Sequence, residues 1–198
     1  MSLVIAFIGT QGAVMAGDMR EISFGGDPAA IEALERKLYD GTITLDGDLF
    51  HCARELGVTL RIRDDKIKVT SRGGILVGEV GERDGAAVRT RRVYASAGNY
   101  AIVDVEQEMM TRTATGGAGN FVVLGNEITK KIAHDCISSE WTQGSVEDAI
   151  RVIIRILLTA ARASPSVSGN YVVVQTRSPA NLSSLIEEDR KGVEEPRS

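Results

Sequence analysis

Residues Ser2–Arg20 read SLVIAFIGTQGAVMAGDMR, and the fold turns on how this stretch is read. Leu3–Ile8 is almost wholly apolar and rich in branched side chains, Thr10-Gln11-Gly12 is a turn, and Ala13–Ala16 is apolar again. Neither arm alternates apolar with polar, so the pattern predicts a β-hairpin buried on both faces. A chain end frays unless something holds it. A buried first strand therefore places Ser2 and its amine inside the protein or in a cleft.

Working outward, Gly25-Gly26-Asp27-Pro28 starts a helix, with Asp27 as N-cap, Pro28 at its first position and an apolar face of Ile31, Leu34 and Leu38. A second short helix over Leu49–Leu56 stops at Gly57. From Val58 the pattern is that of strands: Leu60, Ile62, Ile67 and Val69 alternate, Arg72-Gly73-Gly74 turns, and Ile75–Val80 is a buried run. Arg92–Ala97 and Tyr100–Val105 flank Gly98-Asn99 as a hairpin. Thr111–Ala114 is a short strand, and Gly116-Gly117-Ala118-Gly119 is a loop opening a helix at about Asn120 that runs through Ile128, Ile132 and Cys136. Ser145 caps another long helix, Ser164–Gly169 is a loop, and Tyr171–Thr176 is a last buried strand. After Arg177 the chain turns polar, so we expect a domain over residues 1–177 and a tail or linker over 178–198. Stacked apolar sheets need helices outside them. The expected fold is α+β, an αββα sandwich of two antiparallel sheets, with a helical insertion over about residues 25–57.

Composition narrows the function classes. With 198 residues, 43% of them hydrophobic and 25% charged, the chain is long enough for one well-buried core. A net charge of -4 gives no reason to expect nucleic acid, and Arg89, Arg91 and Arg92 read as one solvated strand face. The apolar helix Val146–Leu158 is interrupted by Glu147, Asp148, Arg151 and Arg155, so no stable membrane insertion is expected. No signal peptide is read at the start, and Cys52 and Cys136 fit a reducing, cytoplasmic setting. His51 with Cys52, and His134 with Cys136, would have to converge from separate elements to bind metal. We expect no metal and no cofactor.

Two histidines and no G-x-S-x-G leave little room for a Ser-His-Asp enzyme. Ser2 offers another route. Once Met1 is removed, one residue carries both a hydroxyl and a free α-amine, whose ordinary pKa near 8 suits it to take the hydroxyl's proton. A serine second in a chain is common, however, and position alone does not single it out.

The ordered motifs do. SLVIAFIGTQGAVMAGDMR resembles the opening hairpin of proteasome β subunits, which are N-terminal-nucleophile (Ntn) hydrolases, and Asp18 and Arg20 match the acidic residue and arginine that close it. Asp65-Lys66-Ile67-Lys68-Val69 followed by Gly74–Gly78 resembles the strand pair holding that family's catalytic lysine and oxyanion glycine. The resemblance assigns those roles to Lys66 and Gly78, with Lys68 as the fallback lysine. Thr113–Gly119 is similar to the loop before the family's third helix. Ser145–Thr176 is similar to its last helix, its Ser-Gly loop (Ser168-Gly169) and the following strand. The departures are a short Gly81–Thr90 in place of two helices, the extra segment at Gly25–Gly57, and Pro165 and Ala118 where the family has an acid and a serine that steady the terminal amine.

This combination resembles connectase, an archaeal family of methanogens related to proteasome β subunits. The resemblance implies a protein ligase, or transpeptidase. It recognises a Lys/Arg-Asp-Pro-Gly-Ala sequence in the membrane methyltransferase of methanogenesis, and Ser2 carries the acyl group. The implied partner is a protein or peptide, and loss of the ring-packing helices implies a monomer or small oligomer. The alternatives are an Ntn peptidase or amidase that only hydrolyses, and a non-catalytic scaffold.

Overall fold

The computed structural model describes residues 3–84, 87–107 and 109–194. β1 (Val4–Gly9) and β2 (Gly12–Asp18) form the opening hairpin. Its lack of alternation is explained by burial on both sides. Leu3, Ile5, Phe7, Val14 and Ala16 belong to one core, and Val4, Ala6, Ile8, Ala13 and Met15 belong to another.

The chain then leaves the hairpin to build the insertion. β3 (Glu21–Gly25) pairs with β4 (Thr59–Arg63), and between them lie α1 (Pro28–Tyr39) and α2 (Asp46–Glu55). Asp27 caps α1 by accepting from the Ala30 N–H. This unit has a core of its own, in which Ile31, Leu34, Leu38, Leu49 and Val58 are buried together.

β5 (Val69–Arg72), β6 (Ile75–Asp84), β7 (Ala87–Ser96), β8 (Asn99–Glu106) and β9 (Met109–Gly117) follow as an antiparallel five-stranded meander. The β7–β8 turn is Ala97-Gly98, one residue earlier than expected, because Ser96 pairs with Asn99. β10 (Asn120–Leu124) then crosses back to pair with β1, Phe121 opposite Phe7 and Leu124 opposite Val4. The helix expected to open at Asn120 is thus corrected. Phe121–Leu124 is a β-prone run with a strand to join, and α3 (Glu127–Glu140) begins only after its Asn126 cap. α4 (Val146–Ala163), capped by Ser145, and β11 (Tyr171–Thr176) complete a four-stranded sheet in the order β10-β1-β2-β11, with α3 and α4 on one face.

Two expectations fail here. The segment after Arg177, expected as a polar tail, forms α5 (Leu182–Glu194). Leu182, Leu185 and Ile186 bury against Ile75, Tyr94, Val103 and Met110 of the five-stranded sheet, and the Tyr94 hydroxyl donates to Asp189 at 2.7 Å. The αββα sandwich of two sheets is also corrected. There are three sheets, and α5 alone takes the place of a helical layer on the outer face of the five-stranded one. The physical reason lies in β6–β9. Arg92 pairs with Glu79, Arg91 grips Asp104 with two hydrogen bonds, and β9 is largely exposed. That surface is already compatible with water and needs no helices over it. Among the described residues no helix is long and apolar enough to cross a membrane.

Candidate functional site

The two cores meet at the open end of the first hairpin. β2 ends on Asp18, which is fully buried yet makes four hydrogen bonds. Its Oδ1 accepts from the Leu3 N–H at 2.8 Å and from Lys68 Nζ at 2.7 Å. Its Oδ2 accepts from the Arg20 N–H at 2.8 Å and from the Ser168 N–H at 3.3 Å. A buried carboxylate is tolerable only when satisfied in this way.

Lys68 stands immediately before β5, with its side chain 4% exposed. It reaches Asp18 because the sheets come close there. A Cβ added to Gly17 would lie 3.1 Å from Val69 and 3.4 Å from the Lys68 Cβ. Burial pushes the Lys68 ammonium below its usual pKa, against the attraction of Asp18. Lys66, to which the resemblance gave the lysine role, is placed elsewhere. Its side chain is half exposed and lies 3.6 Å from Glu21, while its backbone N–H donates to the Met19 carbonyl. The lysine that the structure brings to Asp18 is thus Lys68, the fallback.

Arg20 leaves the same corner in the other direction. It donates to both oxygens of Asp64, at 2.8 and 2.9 Å, to Asp46 of α2 at 2.6 Å, and to the Pro165 carbonyl at 2.9 Å. The Asp64 hydrogen bond, with help from Asp46, raises the guanidinium's pKa against the effect of burial, and Arg20 in turn lowers that of Asp64. Ser168 accepts from the Met19 N–H at 3.1 Å and donates to the Asn170 carbonyl at 2.7 Å, whereas Gly169 beside it is exposed.

Gly78 sits at a second close approach. An added Cβ would lie 2.6 Å from Met15 Sδ and 2.7 Å from Val4 Cγ1. Its N–H, however, does not face this corner. The Glu79 N–H donates to the Lys68 carbonyl, and successive strand residues point opposite ways, so the Gly78 N–H faces Val93 on β7. Three residues on, Gly81 directs its N–H to the same side as Glu79, but past the first residue of β5. No described residue accepts from it, and a Cβ there would meet nothing within 4 Å.

Ala118 is also placed away from this corner. It lies in the β9–β10 turn, where the Gly119 N–H donates to the Ile8 carbonyl at the far end of β1. The polar group that does accompany the 164–168 loop is Asn126, which sequence reasoning missed. Its amide donates to Ser166 Oγ at 3.1 Å, Ser166 contacts Ser164 at 2.8 Å, and all three are buried. Its signal was the helix-cap position after a strand rather than a Ser/Gly-rich loop. Ser2 lies outside the described residues. Among those described, no three His, Cys, Asp or Glu side chains cluster to hold a metal ion.

A buried Asp–Lys pair tied to the first strand agrees with the sequence comparison. The family model described as "Connectase MJ0548-like, N-terminal domain" matches residues 1–191. The chain belongs to the connectase family. Solved structures similar to it include Anbu, an ancestral β-subunit, from Yersinia bercovieri, with a TM-score of 0.42 and 11% identity over 88% of this chain and 81% of that one. An Anbu (Gly-1) mutant from Hyphomicrobium sp. strain MC1 has a TM-score of 0.41 and 11% identity over 98% and 100%. The helical assembly of the Anbu complex from Pseudomonas aeruginosa has 0.41 and 15% over 96% and 93%. No curated protein matches the chain in sequence.

Proposed function

We propose that this connectase-family chain is a site-specific protein ligase acting through Ser2, exposed as the first residue once Met1 is removed. The observation that carries the reading is the contact between Asp18 and the Leu3 N–H. The Ser2 carbonyl carbon is bonded to that same nitrogen, so the residue carrying the nucleophile is covalently attached to an atom held by the Asp18–Lys68 pair.

Family resemblance supplies the substrate class, a Lys/Arg-Asp-Pro-Gly-Ala segment such as that of the methanogenic methyltransferase. Ser2 Oγ attacks the carbonyl of the Asp residue and its proton passes to the Ser2 α-amine. The Asp–Pro C–N bond breaks, and the proton passes on to the departing proline nitrogen. The acyl group is now an ester on Ser2. An incoming Pro-Gly-Ala terminus reverses the same steps and leaves a new peptide bond. Lys68, as a cation, keeps the α-amine a free base. Gly81 offers an N–H not used by the sheet, suited to the developing oxyanion. The acyl group can also shift to the α-amine of Ser2 through a five-membered ring. The resulting amide resists water far better than the ester does, which favours transfer over hydrolysis.

The test is intact-mass analysis of the protein after incubation with a peptide containing Lys-Asp-Pro-Gly-Ala. The expected result is an added acyl fragment that survives neutral hydroxylamine and is discharged by a Pro-Gly-Ala peptide into a ligated product. Consumption of the peptide to free acid at a rate unaffected by acceptor would make the protein a hydrolase instead.

A further inference from the structure

β11 reads Tyr171-Val172-Val173-Val174-Gln175-Thr176, six residues with neither charge nor proline, and it is an edge strand of the four-stranded sheet. The Met19 N–H donates to the Asn170 carbonyl while Tyr171 stands opposite Asp18, so the backbone groups of this residue pair face apart. By alternation, Tyr171, Val173 and Gln175 turn their N–H and C=O groups away from β2. No described residue hydrogen-bonds to those groups. Val173 adds an apolar side chain that is 36% exposed. Sheet edges are ordinarily guarded by charge, proline, a bulge or a covering segment. The edge strands of the other sheet fit that rule better, since β5 is only four residues long and carries Arg72, and β9 carries Arg112 among threonines. β11 has no such guard.

Its near end is also informative. Tyr171 follows Asn170, whose carbonyl accepts from Ser168, and the Ser168 N–H donates to Asp18. The open edge thus begins at the candidate site and runs away from it for six residues, about 20 Å of strand.

We propose that the outer edge of β11 docks an extended segment of the polypeptide substrate as an added strand, which delivers the adjoining recognition sequence to the Ser2 end. This rests on the reading of the chain as a protein ligase. Tyr171, Val173 and Gln175 supply about six backbone donors and acceptors. The uncharged edge selects a segment that is itself uncharged and β-prone, because a charged side chain laid against the valines would be desolvated without a partner. Recognition then has two parts, a short reacting sequence and a neighbouring stretch read mainly by its backbone.

The experiment measures affinity, so that it does not depend on turnover. Fluorescein-labelled peptides are titrated against the full chain carrying Ser2→Ala and followed by anisotropy. The probes are the Lys-Asp-Pro-Gly-Ala core alone, and the core extended on its N-terminal or C-terminal side by Thr-Val-Thr-Ser-Val-Thr. We expect one extended probe to bind at least about tenfold more tightly than the core. Val173→Pro removes an outward N–H without breaking the β2 ladder, so it should bring that ratio close to one while the urea midpoint is retained. Gln175→Pro is the second variant, to be used if Val173→Pro proves unstable. The proposal is overturned if neither extension improves binding, if the advantage survives both proline variants, or if sedimentation shows a dimer that Val173→Pro dissociates with no change in peptide affinity. The acyl adduct of the unsubstituted protein with the core peptide separates the two ideas. An adduct without an extension effect removes only the docking edge, and an extension effect without an adduct removes only the ligase.

Discussion

Replacing Lys68 by Met and Lys66 by Ala tests the site where the structure departs most from sequence resemblance. In Lys68→Met the stem keeps its place but the ammonium is gone. Asp18, with no exposed surface, then holds its charge on three N–H donors alone. Breaking a buried ion pair costs about 3–5 kcal/mol, and the three remaining donors put this case at the low end, about 3 kcal/mol. For a domain of this length that lowers Tm by about 6–12 °C. Lys66→Ala removes a 3.6 Å contact between half-exposed groups and should cost no more than about 1 kcal/mol. The assays are thermal unfolding by circular dichroism and formation of the Ser2 acyl adduct by intact mass. Lys68→Met should slow adduct formation at least about 100-fold, whereas Lys66→Ala should change it little.

The pH dependence adds a readout that a purely structural lysine shares but Lys66 does not. Burial holds the folded Lys68 pKa below its usual 10.5. Between those two values the unfolded chain binds the extra proton, so the Lys68 contribution to stability rises with pH across that window. Comparing wild type with Lys68→Met isolates this contribution from other alkaline groups. If Lys66→Ala abolishes the adduct while Lys68→Met spares it, or if the two variants are indistinguishable in stability and adduct rate, the assignment of Lys68 to the site is refuted.

Gly78→Ala should destabilise the fold by about 1–3 kcal/mol, read as a lowered urea midpoint, because its Cβ would run into Met15 and Val4. At Gly81 the expectation reverses: Ala should be tolerated in stability, while Pro, which removes the open N–H, should slow acylation by about 10²–10³. Retaining Met1, for instance behind a residue that blocks its removal, should abolish the adduct, since a peptide bond on the Ser2 nitrogen removes the base. N-terminal sequencing of active protein that still reads Met-Ser would refute that.

The first hairpin was legible because burial on both faces erases polar alternation, and Leu3–Ile8 shows that erasure directly. The insertion's first helix was legible from one cap, Asp27 followed by Pro28. Which lysine meets Asp18 was not. Apolar Ile67 and Val69 suggested an alternation that puts both lysines on one face, but Ile67 is 59% exposed and lies before β5, and only Lys68 points inward. What buries it is a carboxylate fifty positions away, and local pattern carries no trace of that. The direction of the Gly78 N–H depends in the same way on strand register, which residue identity leaves open. α5 is a different case. Leu182, Leu185 and Ile186 have helical spacing, and the surrounding charge hid a signal that was present.

The insertion gives the site its remaining feature. β3, α1, α2 and β4 enclose a core separate from the two cores of the body, so packing within the unit does not by itself fix its position over the sheets. Arg20 supplies a fixed point. It follows Met19 at the end of the hairpin, its backbone N–H is held by Asp18, and its guanidinium reaches Asp64 after β4, Asp46 at the first turn of α2 and the Pro165 carbonyl in the serine loop. A planar fork can hold three partners in one geometry where a lysine could not. The carboxylate that positions Leu3 and Lys68 therefore also positions the backbone of the residue that ties down the insertion. A polypeptide arriving between insertion and body meets this junction, and movement of α2 is transmitted through Asp46 and Arg20 to Asp18, within one residue of the proposed nucleophile.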